Sequence, residues 1–176
     1  NPQTMKEETL RLIGRQHTVQ QTIDSFNLAR EVGFDNINMD LIVGLPEETI
    51  EDVRETMRQL EELDPDNITV HSLAIKRAAR LRMQKEQYEN LHIENTAQTI
   101  DLTAEGCHEM GLEPYYLYRQ KNMAGNFENV GYAKPGKAGV YNILIMEEKQ
   151  TIMALGAGAT TKVVFEDGKR IERVGN

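Results

Sequence analysis

The sequence predicts an α/β fold, and three observations predict it. Helical and strand periodicities alternate from residue 19 to residue 110, each strand-like run is separated from the next by one helix, and after Gly111 the chain turns to short strands and turn residues. Alternation of this kind marks parallel strands joined by crossover helices. The expected division is a first part over residues 1–112 and a small, β-rich α+β region over residues 113–176.

The elements follow in order. Val19, Ile23, Phe26 and Ala29 form one apolar stripe and predict a helix over residues 19–32. Thr18 with Gln21 supplies a capping-box start, and Gly33 a left-handed stop. Residues 36–43 then alternate with a period of two: Ile37, Met39, Leu41 and Val43 point one way, Asn36, Asn38, Asp40 and Ile42 the other. Gly44-Leu45-Pro46 ends that strand. Thr49 and Asp52 cap a second helix with the stripe Ile50, Val53, Met57, Leu60 and Leu63, and Pro65 closes it. A second strand is expected from Ile68 to Ile75, and a third helix from about Tyr88 to Met110, with Ala97, Ile100, Ala104 and Cys107 on one face. Beyond it, Tyr115-Tyr116-Leu117-Tyr118 reads as an aromatic strand and the Gly- and Asn-rich residues 122–139 as an ordered loop. Residues 140–146 and 151–155 read as strands, and Asp167-Gly168 as the turn of a hairpin.

Charge narrows the function. The chain carries 20 basic and 28 acidic side chains, a net of −8. That balance does not suit a nucleic-acid backbone or an anionic membrane surface. No run reaches the length of a membrane span, and no basic-then-apolar leader opens the chain. A single cysteine, Cys107, rules out an internal disulfide and points to a reducing, cytoplasmic setting. Asn1-Pro2-Gln3 does not read as a mature terminus, so the chain is expected to be a fragment.

The polar face of the first strand is the most informative feature. A parallel strand between helices is normally apolar on both faces, and a buried carboxylate is costly unless it is paired or meets a polar ligand. Turning Ile37, Met39 and Leu41 onto the helices leaves Asn38 and Asp40 facing the lumen of a barrel, where active sites lie at the C-terminal strand ends. The strand pattern alone leaves Asp40 equally open to a structural role, bonded to neighbouring backbone.

Asn38-Met39-Asp40-Leu41-Ile42-Val43-Gly44-Leu45-Pro46 resembles a barrel strand and turn of the coproporphyrinogen oxidase branch of the radical S-adenosylmethionine (SAM) enzymes. Residues 1–15 and 69–77 are similar to the same family. Residues 116–125 and 155–159 resemble its clostridial- and bacillus-type coproporphyrinogen dehydrogenase subgroup. The resemblance implies the C-terminal part of a partial (β/α)6 TIM-like barrel over residues 1–112, with a substrate or cover region after it. It implies SAM and a 4Fe–4S cluster as cofactors, an electron donor for the cluster and a tetrapyrrole substrate. The implied reaction is oxygen-independent oxidative decarboxylation of coproporphyrinogen III to protoporphyrinogen IX. A haem-binding chaperone of the same superfamily, and a radical SAM enzyme with another substrate, are the alternatives.

The resemblance also implies site residues. A glutamine leaving one strand and an arginine twelve residues later contact SAM in that family, and Gln3 and Arg15 have this spacing. The family aspartate matches Asp40, and a backbone contact to the adenine matches Ala74. A guanidinium suits the SAM carboxylate, and an amide and a carboxylate suit its ribose hydroxyls. Taken as residues alone, Arg15 is a solvated charge, Gln3 a frayed end and Ala74 plain packing. Lys76 and Arg77, with Arg119 behind them, are candidates for the substrate carboxylates. The CxxxCxxC motif whose thiolates hold the cluster is not in this chain. Cys107 lies on an apolar helical stripe and reads as a packed thiol, so the chain alone is expected to be inactive. The four histidines, His71 among them, show no metal-ligand spacing; His71 reads more readily as a core residue than as a lumen one.

Overall fold

In the computed structural model the described residues are 1–73, 96–118 and 127–175. They contain α1 (Glu7–Leu12), α2 (Val19–Glu31), β1 (Asn38–Val43), α3 (Ile50–Leu63), β2 (Asn67–Ser72), α4 (Ala97–Glu109), β3 (Glu113–Tyr118) and β4 (Asn129–Ala133). They continue through α5 (Val140–Glu147), β5 (Thr160–Phe165) and β6 (Arg170–Gly175). Two compact units result, Asn1–Ala138 and Gly139–Asn176. β3 and β4, which follow residue 112, belong to the sheet of the first unit.

The helices begin and end where local chemistry directs them. Thr18 accepts from the Gln21 N–H while Gln21 accepts from the Thr18 N–H, and Thr49 and Asp52 repeat the arrangement at α3. Each box satisfies two backbone donors that a helix start leaves orphaned. Asp64, just before Pro65, takes a left-handed φ of 52° and stops α3.

Among the described residues the first unit holds a four-stranded sheet in the order β1-β2-β4-β3. β1 and β2 run parallel, Asn38 opposite Asn67 through Val43 opposite Ser72. Gln3 makes an isolated parallel bridge to Leu41 on the other edge of β1. These pairings are the barrel-like βαβ part. β4 then enters antiparallel to β2 and β3, so the sheet is mixed. The packing face is the one the alternation indicates: Met39, Leu41 and Val43 are buried with Ile68 and Val70 against Phe26, Val53, Met57 and Leu60 of the helices. Cys107 completes this layer with no exposed surface, and burial pushes its thiol up to about 12.

Three local expectations are corrected. Residues 129–133 form β4, although their Gly and Asn content suggests a loop. Gly131 is required there because the Tyr116 ring lies across it: a β-carbon on residue 131 would sit 1.9 Å from the ring. Residues 140–147 form helix α5, not a strand. Its apolar run has no clear period, which leaves helix and strand undecided from sequence, and none of its residues is buried. Of residues 151–155 only Ile152 pairs, in a bridge to Lys162. The hairpin across Asp167-Gly168 is present as β5 and β6, joined through a short 3-10 turn at Glu166–Gly168. Gly156 to Ala159 forms a turn closed by an Ala159 N–H bond to the Gly156 carbonyl. Among the described residues no helix is long and apolar enough to cross a membrane.

Candidate functional site

The sheet face turned away from the helices is polar, and it is built by register. Asp40 lies beside Thr69, and Ile42 beside His71. Thr69 lies opposite Gly131, and Gly131 opposite Tyr116. Residues opposite one another share a face, so Asp40, Thr69 and Tyr116 form one row across four strands. The missing side chain of Gly131 lets the Tyr116 ring cross β4 and bring its hydroxyl to Thr69 Oγ1, at 3.5 Å.

From there a run of donors leads to one acceptor. Thr69 Oγ1 donates to Asn38 Oδ1 at 3.0 Å, and Asn38 Nδ2 donates to Asp40 Oδ1 at 2.7 Å. The other Asp40 oxygen, Oδ2, accepts from Asn1 Nδ2 at 2.5 Å. His71 Nε2 stands 3.8 Å from Asp40 Oδ1, beyond hydrogen-bond length. Nδ1 of the same ring lies 3.4 Å from the Tyr118 hydroxyl. Burial alone raises the Asp40 pKa, but the facing His71 ring and the Asn38 amide outweigh it and hold the carboxyl below its ordinary value.

Beside this row, at the C-terminal end of β1 and β2, lies a cleft of about 280 Å³. Gln3, Ile42, His71, Ser72, Leu73, Tyr118 and Asn129 line it. Gln3 is 6% exposed and takes a positive φ of 64°. Both its backbone groups are bonded to β1, its N–H to the Asp40 carbonyl at 3.0 Å and its carbonyl to the Ile42 N–H at 2.8 Å. Thr4, the next residue, donates its hydroxyl to the buried Glu48 carboxyl. Burial raises the pKa of Glu48, with the Thr4 hydrogen bond working against it.

Of the residues singled out from sequence, Gln3 and Asp40 are thus brought together on adjacent strands. Arg15 is exposed in the connection between α1 and α2, its N–H bonded to the Leu10 carbonyl, and it does not line the cleft. Ala74, Lys76, Arg77 and Arg119 lie outside the described residues. A larger hollow of about 380 Å³ lies between α2, the first residues of the chain and the start of β1, and none of the candidates lines it. Among the described residues no three His, Cys, Asp or Glu side chains are grouped to hold a metal ion. His71, which the sequence reads more readily as a core residue, lies half-buried on the Asp40 face and lines the cleft. Tyr116 and Tyr118 are site residues that the sequence reading took only as part of an aromatic strand. Their signal is period two: Thr69 and His71 alternate with Ile68 and Val70, and Tyr116 and Tyr118 flank Leu117.

Residues 1–60 match the family model described as the Radical SAM superfamily. Over all 176 residues the chain is 46% identical to the oxygen-independent coproporphyrinogen-III oxidase-like protein HemZ of Bacillus subtilis, covering 35% of that protein. The heme chaperone HemW of the same organism is 28% identical over 159 residues, 89% of this chain and 38% of the chaperone. Among solved structures, coproporphyrinogen III oxidase (HemN) from Escherichia coli, described as a radical SAM enzyme, aligns with a TM-score of 0.60. The alignment covers 90% of this chain and 37% of that one at 22% identity, a likeness of fold. The chain spans little more than a third of the length of these curated relatives.

Proposed function

Since the chain belongs to the radical SAM superfamily, we propose that it forms the nucleoside-binding side of an enzyme that oxidatively decarboxylates coproporphyrinogen III without oxygen. Membership of the superfamily implies SAM and a 4Fe–4S cluster. The observation that carries the reading is Asp40, a carboxylate kept ionised on the face turned away from the described helices, next to Gln3. Ribose hydroxyls are hydrogen-bond donors that a carboxylate and an amide oxygen accept. The cleft at Gln3, Ile42 and His71 adds one apolar and two polar side chains, as a nucleoside requires. The residues therefore fit SAM. They do not fit a cluster, which is held by several thiolates; the one cysteine is packed in the core, so cluster ligands come from outside this chain.

When bound, SAM and a reduced cluster supply one-electron chemistry that takes hydrogen from a substrate side chain. This chain's own part is to orient the ribose through Asp40 and Gln3 and to wall the cleft with Ile42, Leu73 and Tyr118 against water. The tetrapyrrole substrate is inferred from the similarity to HemZ over the whole chain, with Lys76, Arg77 and Arg119 proposed for its carboxylates and Arg15 and Ala74 for SAM. The similarity to HemW supports a second reading, a haem-binding chaperone. The test is anaerobic incubation of the complete natural protein with SAM, a reductant and coproporphyrinogen III. Carbon dioxide release with vinyl product, dependent on SAM, supports the oxidase. Tight haem binding with no carbon dioxide released supports the chaperone.

A further inference from the structure

Resting on the assignment of Asp40 to the ribose, we infer that His71 is a positioning residue for Asp40, itself held by Tyr118. Three observations carry this. His71 projects from β2 on the same face as Asp40, with its Nε2 3.8 Å from Asp40 Oδ1. Its Nδ1 is 3.4 Å from the Tyr118 hydroxyl, and the two rings meet edge-on at 6.4 Å. The Tyr118 ring is in turn stacked at 7° on Tyr116, the ring for which Gly131 makes room.

The tautomer follows from the partners. A neutral imidazole has one donor and one acceptor nitrogen. An ionised Asp40 favours the N–H on Nε2, which leaves Nδ1 to accept from the Tyr118 hydroxyl. Tyr118 thereby selects the ring state that faces Asp40 with a positive edge. The separation is too long for a direct bond, so the ring acts on the carboxylate through its field and by limiting its rotation. Asn38 holds the same oxygen, and Oδ2, which accepts from Asn1 Nδ2, is the oxygen a ribose hydroxyl would meet in place of that exposed amide.

The test is anaerobic calorimetric titration of the complete, cluster-reconstituted protein with SAM, alongside the thermal midpoint of each variant. Asp40→Asn is expected to weaken binding about tenfold, the scale of one charge-assisted hydrogen bond. His71→Ala should weaken it about fivefold, and His71→Gln, which keeps an N–H near the same place, by less than about twofold. In the Asp40→Asn background, His71→Ala should add nothing, because residues that act through one another are not additive. Tyr118→Phe, which keeps the ring, should give part of the His71→Ala effect and serves if His71→Ala does not fold. If Asp40→Asn weakens binding but neither His71→Ala nor Tyr118→Phe does, this inference fails and the ribose assignment stands. Full additivity of the two substitutions also overturns it. If Asp40→Asn itself binds SAM normally, the ribose assignment fails first.

Discussion

Asp66 and Asp40 are both held below the ordinary carboxylate range, and they differ in almost everything else. Asp66 precedes β2, at the N-terminal end of the sheet, with a side chain only 8% exposed. Its Oδ2 takes the Arg30 guanidinium at 2.6 Å and the Ile37 N–H at 2.9 Å, and Arg30 also donates to the carbonyls of Asp64 and Phe34. Asp40 is 26% exposed and is answered by two neutral amides and an imidazole standing off at 3.8 Å. A carboxylate closed by a guanidinium has its charge spent on the fold. One supported by neutral donors has a charge that no lysine or arginine among the described residues answers, which is what the proposed ribose contact requires. The positions agree with the general division in barrels, where the bottom of the sheet serves stability and the top serves chemistry.

Several changes break or sharpen that contrast. Asp66→Ala strands the Arg30 guanidinium, part-buried, and should cost about 3 kcal/mol in urea unfolding, the low end for a broken buried ion pair because Arg30 is partly solvated. SAM affinity of the folded protein should not change. Gly131→Ala forces the Tyr116 ring off β4 and should cost about 1–3 kcal/mol as overpacking, and it should also weaken SAM binding by disturbing the row that ends at Asp40. Asp40→Asn should change stability by less than about 1 kcal/mol, since the new amide keeps its oxygen toward Asn38 Nδ2 and the exposed Asn1 can turn its own amide oxygen to the new NH2, while its effect on SAM binding is large.

The pH dependence separates Asp66 from Glu48. The folded pKa of Asp66 is lowered from 3.8, so its contribution is complete above that value and is lost as pH falls through the lower, folded one. Asp66→Asn should therefore flatten the acid limb of the stability profile. Glu48 has the opposite sign: its folded pKa is raised above 4.5, so ionisation at neutral pH opposes folding and stability recovers as pH falls through the folded value. Glu48→Gln, which still accepts from Thr4, should raise stability at pH 7 by about 0.5 kcal/mol, the smallest effect of the set.

The contrast also explains what could be read in advance. Asp40 was legible because a period of two needs only its own strand: Met39, Leu41 and Val43 declare the helix side and leave Asp40 on the other. Its neighbours were not. Whether His71 faces Asp40 depends on the register of β2 against β1, and whether Tyr116 reaches Thr69 depends on Gly131 in a strand whose composition suggests a loop. Such facts are set between segments, and no single window contains them. Residues 140–147 failed for a different reason: an apolar run without a period fits a strand as well as a helix, and α5 adopts the helix with no buried face to mark it. The caps at Thr18 and Thr49 were legible to the residue because a capping box is local by construction.

The central claim is that Asp40 holds the ribose of SAM, and a hydroxyl-deletion titration tests it most directly. The complete natural protein and its Asp40→Asn variant are each titrated anaerobically with SAM and with its 2′-deoxy and 3′-deoxy analogues. If Asp40 accepts from the ribose, the natural protein should prefer SAM over at least one analogue by about tenfold, and Asp40→Asn should lose most of that preference. An Asp40→Asn variant that binds SAM as tightly as the natural protein, or discriminates against the analogues as strongly, contradicts the account.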